Sequence, residues 1–225
     1  NSMSDALKIA IIGDYNFTFN AHHATNLSLD HSSDFLEFEV NYYWIKISEA
    51  LKYKEVYFDK FDGIWVAPGP IENAFFLNGV FKKIAKKKIP VLITGEGFKV
   101  FLEYLITQNK LVPNQGKFIS ENLVSGNSFE RIRIEPKSKA FKKLYENFNT
   151  VELTSSRFSL YPQLVDQLES GLVDVEAVNH FNDPEVISLR KHEFFLSCAF
   201  CPQISSTRDL PHPIIYTFLK MSNQS

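Results

Sequence analysis

Cysteine is nearly missing from this chain: Cys198 and Cys201 are the only two among 225 residues. A disulfide-built secreted scaffold is thereby excluded. The pair is spaced C-x-x-C, yet it closes the run Phe194-Phe195-Leu196-Ser197-Cys198-Ala199-Phe200, which reads as a strand. A redox C-x-x-C draws its low thiol pKa from a helix N-terminus, and residues three apart on a strand point to opposite faces. Neither a disulfide nor a shared metal is natural there. The thiols read as structural, with Cys201 lining a site as the alternative. The histidines at 22, 23, 31, 180, 192 and 212 lack metal-ligand spacing, so no metal is expected. No apolar run reaches the roughly 18 residues of a membrane span. No basic-then-apolar leader opens the chain, and Asn1-Ser2 before Met3 reads as a tag remnant ahead of a start methionine. A cytoplasmic location follows as the expectation. A formal charge of −2 argues against a nucleic-acid surface. The Lys82-Lys83 and Lys86-Lys87-Lys88 cluster reads as the solvated last turn of a helix. There is no internal repeat, low-complexity segment or long linker, so residues 4–222 are expected to form one domain.

What is present centres on Lys88 to Ile106. Ile89 to Ile93 is a short apolar run without polar alternation, as in a strand buried on both faces. Thr94-Gly95-Glu96-Gly97 follows, and then Phe98, Phe101, Leu102, Leu105 and Ile106 recur at helical spacing. Strand, sharp glycine turn and helix make the shape of a nucleophile elbow, which holds a reactive side chain above a sheet. Here the nucleophile position carries Gly95.

Other segments repeat the alternation. Lys8 to Ile12 reads as a buried strand ending in Gly13-Asp14-Tyr15. Ala21 to Phe35 reads as a weakly amphipathic helix with Ala24, Leu27, His31 and Phe35 inward. Phe38, Val40, Tyr42 and Trp44 alternate as a second strand. Phe61 to Val66 is a third, ending at Ala67-Pro68-Gly69-Pro70, and a helix is expected from about Ile71 to Lys87. The pattern predicts a parallel sheet covered on both sides, with ligands at the carboxyl ends of the strands. Leu111 to Gly126 is polar and turn-rich. Phe129 to Ile134 alternates as a one-sided antiparallel strand. Tyr161 to Ser170 is a helix ended by Gly171. Val173 to Val178, Val186 to Leu189 and Phe194 to Ala199 read as a meander, and Pro213 to Met221 as a last helix. The Phe75-Phe76 and Tyr42-Tyr43-Trp44 clusters are assigned to the core.

Several motifs in this order resemble the class I glutamine amidotransferases, and most closely the glutaminase half of CTP synthase. Phe61 to Gly69 is similar to the family's D-G-hydrophobic-x-V-P-G-G segment, and Lys88 to Leu92 with Gly95-Glu96-Gly97 to its I-P-x-L-G-I-C-L-G elbow. Ser156-Arg157-Phe158 with Tyr161-Pro162 resembles its H-R-Y-x-x-N-P run, and Phe194 to Gln203 its P-F-F-V-x-x-Q-F-H-P-E segment. Gly13-Asp14-Tyr15 and Ala21-His22-His23-Ala24 are similar to the small stand-alone proteins called CTP synthase C-terminal region-related. The resemblance implies a three-layer, open, mostly parallel sheet with helices on both faces and a small antiparallel meander.

It also implies a chemistry that can be checked. The family uses a cysteine thiolate, activated by a histidine that a glutamate orients. Those positions are Gly95, Cys201 and Gln203 here, so hydrolysis by the family mechanism is not expected. The oxyanion would need backbone N–H donors from the P-G-G turn and from Glu96. Pro70 has no N–H to give, and losing one such donor costs about 3 kcal/mol of transition-state stabilisation. Gly69, Pro70, Glu96, Lys99, Arg157 and Phe158 remain as ligand-binding candidates. Arg157 matches the family arginine that holds the substrate α-carboxylate, and Lys99 a substrate-contacting glutamine. The plain alternatives are a surface arginine and a solvated helix lysine. The resemblance thus implies a silent domain binding a small anionic or amino-acid-like ligand or a partner. The alternatives are an altered enzyme with Cys201 as relocated nucleophile and Glu96 or His192 as base, and an accessory subunit of a synthetase. A reactive residue near the H-R-Y run of the stand-alone relatives corresponds to Ser156. A homodimer or a synthetase chain are the partners that this reading allows. No cofactor is expected, and without a Walker-type loop the chain has no amidoligase half of its own.

Overall fold

The computed structural model describes residues 5–111, 119–123 and 128–224, with backbone alone at 119–123 and 156–158. The first half alternates as expected: β1 (Leu7–Ile12), α1 (Asn20–Leu36), β2 (Val40–Ile45), α2 (Ile47–Lys52), a 3-10 helix (Glu55–Lys60), β3 (Gly63–Val66), α3 (Ala74–Ile84), β4 (Val91–Thr94) and α4 (Gly97–Gln108). The second half comprises β5 (Ile119–Leu123), β6 (Glu130–Arg133), β7 (Glu135–Pro136), α5 (Lys139–Leu144), β8 (Val151–Thr154), β9 (Ser156–Leu160), α6 (Pro162–Glu169), β10 (Val173–Val178), β11 (Pro184–Leu189), β12 (Phe195–Cys198), α7 (Pro202–Ser205) and α8 (Pro213–Ser222). Residues 112–118 and 124–126 of the polar segment expected between Leu111 and Gly126 lie outside the described residues, as does residue 127.

One eight-stranded sheet, in the order β2-β1-β3-β4-β12-β11-β10-β7, forms the middle layer. Its β2, β1, β3, β4 and β12 are mutually parallel, and β11, β10 and β7 follow antiparallel. Every residue of β3, β4 and β12 is buried, in keeping with their mostly apolar sequences, Thr94 and Ser197 being the polar exceptions. Ile9, Ile11, Trp65 and Leu92 face a core shared with α1, α5 and α8. Ala10, Ile12, Ile64, Val66, Val91 and Ile93 face the other, built with α2, α3, α4 and α6. Short antiparallel ribbons, β5–β9 and β6–β8, stand apart from this sheet.

The expected meander is present as β10–β11–β12, and it continues the main sheet because β12 also pairs with β4, Phe195 opposite Val91 and Cys198 opposite Thr94. A strand buried on both faces needs backbone partners on both edges, and β4 supplies one of them. Three other expectations need correction. The inward face of α1 is rotated. It buries Ala21, His22, Thr25, Ser28, Leu29 and Ser32, while Leu27 and Phe35 are exposed. Thr25 and Ser28 satisfy their hydroxyls within the helix, on Ala21 O and Thr25 O. Their small side chains let α1 lie close against α7 and α8, so packing overrides apolar periodicity. Next, α3 starts at Ala74, where the Asn73 side chain accepts the Phe75 and Phe76 N–H groups. Finally, Phe75, Phe76 and Tyr43 are exposed rather than core. The lysine cluster is tied down as well: Lys83 donates to Leu51 O and Tyr53 O at the end of α2, and Lys87 pairs with Asp59 at 3.0 Å.

Gly63 has no room to grow. A Cβ there would run into Ser222 Oγ and lie 2.9 Å from Phe218 Cζ and 3.0 Å from Ile9 Cδ1. Gly63→Ala is expected to lower stability by about 1–3 kcal/mol, read as a lower urea midpoint at unchanged slope.

Candidate functional site

Parallel registers bring four turns to one edge of the sheet. Ile12 is opposite Val66, Val66 opposite Ile93, and Thr94 opposite Cys198. The segments that follow these strand ends therefore meet at the carboxyl edge, where open parallel sheets bind ligands. Gly95 adopts φ +72°, a conformation that disfavours any Cβ. A Cβ built there would lie 2.6 Å from Pro68 Cβ and 3.3 Å from Cys201 Sγ. The Gly95 N–H points at Cys198 O (3.1 Å) and Phe200 O (3.3 Å). Gly95, Cys201 and the Pro68 turn thus lie together, with no room for a side chain at Gly95.

Cys201 is sealed beneath that turn. It is wholly buried, and its N–H donates to Leu153 O at 2.8 Å. Burial, with the Glu152 carboxylate nearby, pushes its thiol up to about 12. Burial likewise pushes Cys198 well up. Thiols of this kind are inert at neutral pH. Gln203 is buried too, its Nε2 donating to Thr25 Oγ1 and Thr94 Oγ1, both at 3.2 Å. Thr94 Oγ1 also accepts the Trp65 indole N–H at 3.0 Å. Gln203 is therefore a clamp joining α1 to β4. His192 stands at the other end of β12, where it bonds Lys87 O at 2.7 Å through Nε2 and accepts the Phe194 N–H on Nδ1. That placement removes it as a base for Cys201.

Around the Pro68 turn the polar groups are tightly specified. His22 donates from Nε2 to Pro68 O (2.9 Å) and accepts the Asn16 N–H on Nδ1 (3.0 Å). Both ring nitrogens are committed, and burial holds its pKa below the ordinary value. Trp44 leans on the same ring, with centroids 5.2 Å apart. The Gly69–Pro70 peptide is cis. Beyond it, the Ile71 N–H donates to Glu96 Oε2 at 3.0 Å. The same oxygen sits where a Gly69 Cβ would be, so Gly69 is needed for this approach. Glu96 is the first residue flanking α4, and Lys99 lies half-buried on that helix. Arg157 and Phe158 lie on β9, and their side chains are outside the described part of the structure.

Sequence reasoning missed a buried pair. His212 donates from Nε2 to Glu152 Oε1 at 2.7 Å, with both side chains wholly buried. Its Nδ1 accepts the Ile214 N–H and so caps α8. Tyr145 meets the imidazole edge-on, its phenol pushed well up by burial and by Glu152. The only sequence signal was Pro211-His212-Pro213; its partner is 60 residues away. A cavity of about 300 Å³, bounded by Phe141, Leu144, Glu176, Phe194 and Ile214, shares none of the Gly95-turn residues. Among the described residues no group of three or more His, Cys, Asp or Glu is placed to hold a metal. No helix among them is long and apolar enough to cross a membrane.

No family model matches the chain. The chain is 24% identical over 243 residues to a CTP synthase of Sulfurisphaera tokodaii, covering 95% of this chain and 44% of that protein. A CTP synthase of Sulfolobus acidocaldarius is 23% identical over 253 residues, covering 98% of this chain and 46% of that one. The chain spans about half the length of the curated relatives it matches. The glutaminase domain of Trypanosoma brucei CTPS, solved with bound acivicin, superposes with TM-score 0.76 at 19% identity over 98% of this chain and 95% of that one. The fold is that of the glutamine amidotransferase-like α/β class. Taken with the sequence matches, it supports a glutamine amidotransferase-like family close to CTP synthase.

Two measurements check the site. An aromatic disulfide reagent should leave both thiols unmodified in the native protein at pH 8 and label both after guanidinium unfolding. The second concerns pH. Burial lowers the pKa of His22, His31 and His192 below the ordinary 6.5. On acidification the unfolded chain binds these protons first, so stability is full above about pH 6.5 and falls below it. His22→Gln should make the fall between pH 7 and pH 5 shallower in denaturant titrations.

Proposed function

We propose that this chain is a CTP synthase-related, glutaminase-like domain without the hydrolytic triad. In this reading it binds an amino-acid-like ligand or a partner protein in glutamine and pyrimidine nucleotide metabolism, in the cytoplasm. The observation that carries the reading is the elbow itself. Its nucleophile position is Gly95, at φ +72° and pressed against Pro68, with no side chain to attack an amide. The burial of Cys201 and its raised pKa weigh against a relocated nucleophile. Pro70 in the oxyanion turn, and Gln203 committed to Thr25 and Thr94, support it further.

The test is ammonia release from L-glutamine by the purified protein. No release above the buffer blank is expected, from the wild type or from Cys201→Ala. Gly95→Cys should not restore activity, because its Cβ would meet Pro68 at 2.6 Å. Ammonia release that Cys201→Ala abolishes would sink the silent-domain reading.

A second reading, docking onto a separate amidoligase chain of the CTP synthase type, has one feature in its favour. Phe17 and Phe75, 81% and 78% exposed, follow β1 and β3 on the edge that carries the Gly95 turn. Two exposed rings on one edge are the support for this reading. Co-elution with such a chain, lost on Phe17→Ser with Phe75→Ser, would bear it out; migration of the unmodified domain alone at tens of micromolar would refute it.

A further inference from the structure

The two edges of the main sheet are built differently. At one end β7 is a two-residue strand, Glu135–Pro136, whose charge and proline discourage further pairing. At the other end stands β2, Val40-Asn41-Tyr42-Tyr43-Trp44-Ile45, six residues long and without a proline, a charge or a bulge. Its hydrogen bonds to β1 fix which groups it leaves over. The Leu7 N–H donates to Glu39 O, and the Gly13 N–H donates to Ile45 O. Backbone groups along a strand turn to alternate sides, so Asn41 and Tyr43 bond β1 as well. Val40, Tyr42 and Trp44 then turn their N–H and C=O groups outward. Among the described residues no strand pairs with that outer side, and no loop backbone bonds those three residues.

An unprotected edge of this kind is a template for another strand. We infer that its occupant is a second copy of this chain, the two β2 strands pairing antiparallel about a two-fold axis at Tyr42 and joining two sheets into one. This goes beyond the ligand-binding reading above and does not depend on it. A two-fold axis normal to the sheet keeps each face of the strand with the same face of its partner. Centred on Tyr42, it sets Tyr42 opposite the partner's Tyr42, and Val40 opposite the partner's Trp44. Every outward N–H then meets an outward C=O. The strand ends are complementary as well, because exposed Glu37 and Glu39 precede β2 and exposed Lys46 follows it. Antiparallel pairing brings the acidic end of one copy to the basic end of the other, whereas parallel pairing would oppose like charges. Between the hydrogen-bonded pairs, exposed Asn41 lies opposite the partner's Tyr43, where side chains approach most closely.

The test is the mass of the full chain by sedimentation velocity, with variants confined to those two exposed positions. The wild type should run as a dimer at tens of micromolar. Asn41→Lys with Tyr43→Lys sets lysine against lysine across the seam and should give a monomer. Asn41→Lys with Tyr43→Glu sets lysine against glutamate and should stay dimeric; in a register centred on Tyr43 it would oppose two glutamates. Amide hydrogen exchange adds a readout that needs no variant. The Val40, Tyr42 and Trp44 N–H groups should slow by roughly tenfold or more as concentration rises through the dimerisation range. Those of Asn41 and Tyr43, held by β1, should stay slow throughout. A monomeric wild type at tens of micromolar would overturn the dimer. A dimer that survives the paired lysines, or one in which the Tyr42 N–H exchanges fast, would remove β2 from the interface. Loss of the dimer in the lysine–glutamate variant would overturn the Tyr42 register.

Discussion

The site depends on the absence of a single carbon atom. Gly95 leaves β4 with positive φ, and a Cβ on it would collide with Pro68 and crowd Cys201 Sγ. Only glycine fits there without strain. Because β3, β4 and β12 are adjacent and in register, the turn is wedged between the segments following its two neighbours. Its shape is therefore a property of the sheet, and any side chain at residue 95 would have to displace Pro68.

The buried polar groups around it follow one logic. Gln203 through Nε2, His22 and the Glu152–His212 pair bond groups on distant segments, and so hold α1, α8, β8 and the Pro68 turn together, while Gln203 Oε1 is buried without a partner. A buried polar group costs free energy unless paired, and truncating one partner of such a pair commonly costs 3–5 kcal/mol where charge is involved. Residues of catalytic type are used here as fasteners. That is how a fold of the glutamine amidotransferase-like class can persist with an inert thiol beneath its elbow.

Across the Pro68 turn the Ile71 N–H donates to Glu96 Oε2, and Gly69 leaves room for that oxygen. This contact joins the segment after β3 to the turn after β4, a coupling invisible in either segment alone.

The sequence by itself determined the three-layer architecture, since continuous apolar strands alternating with amphipathic helices leave few other ways to bury both faces. It also determined that Gly95 stands at the elbow, with Cys201 and Gln203 later in the chain. Tertiary structure alone decided the rest. Apolar periodicity placed the buried face of α1 wrongly, because small hydroxyl residues pack against α7 and α8 while their oxygens bond within the helix. The meander joined the main sheet because β12 needed a second edge partner. Cys201 was legible as a neighbour of the site but not as a sealed one, and Glu96 not as the acceptor of the Ile71 N–H. Burial and contact between residues far apart in the chain set both outcomes, and local pattern carries no record of either.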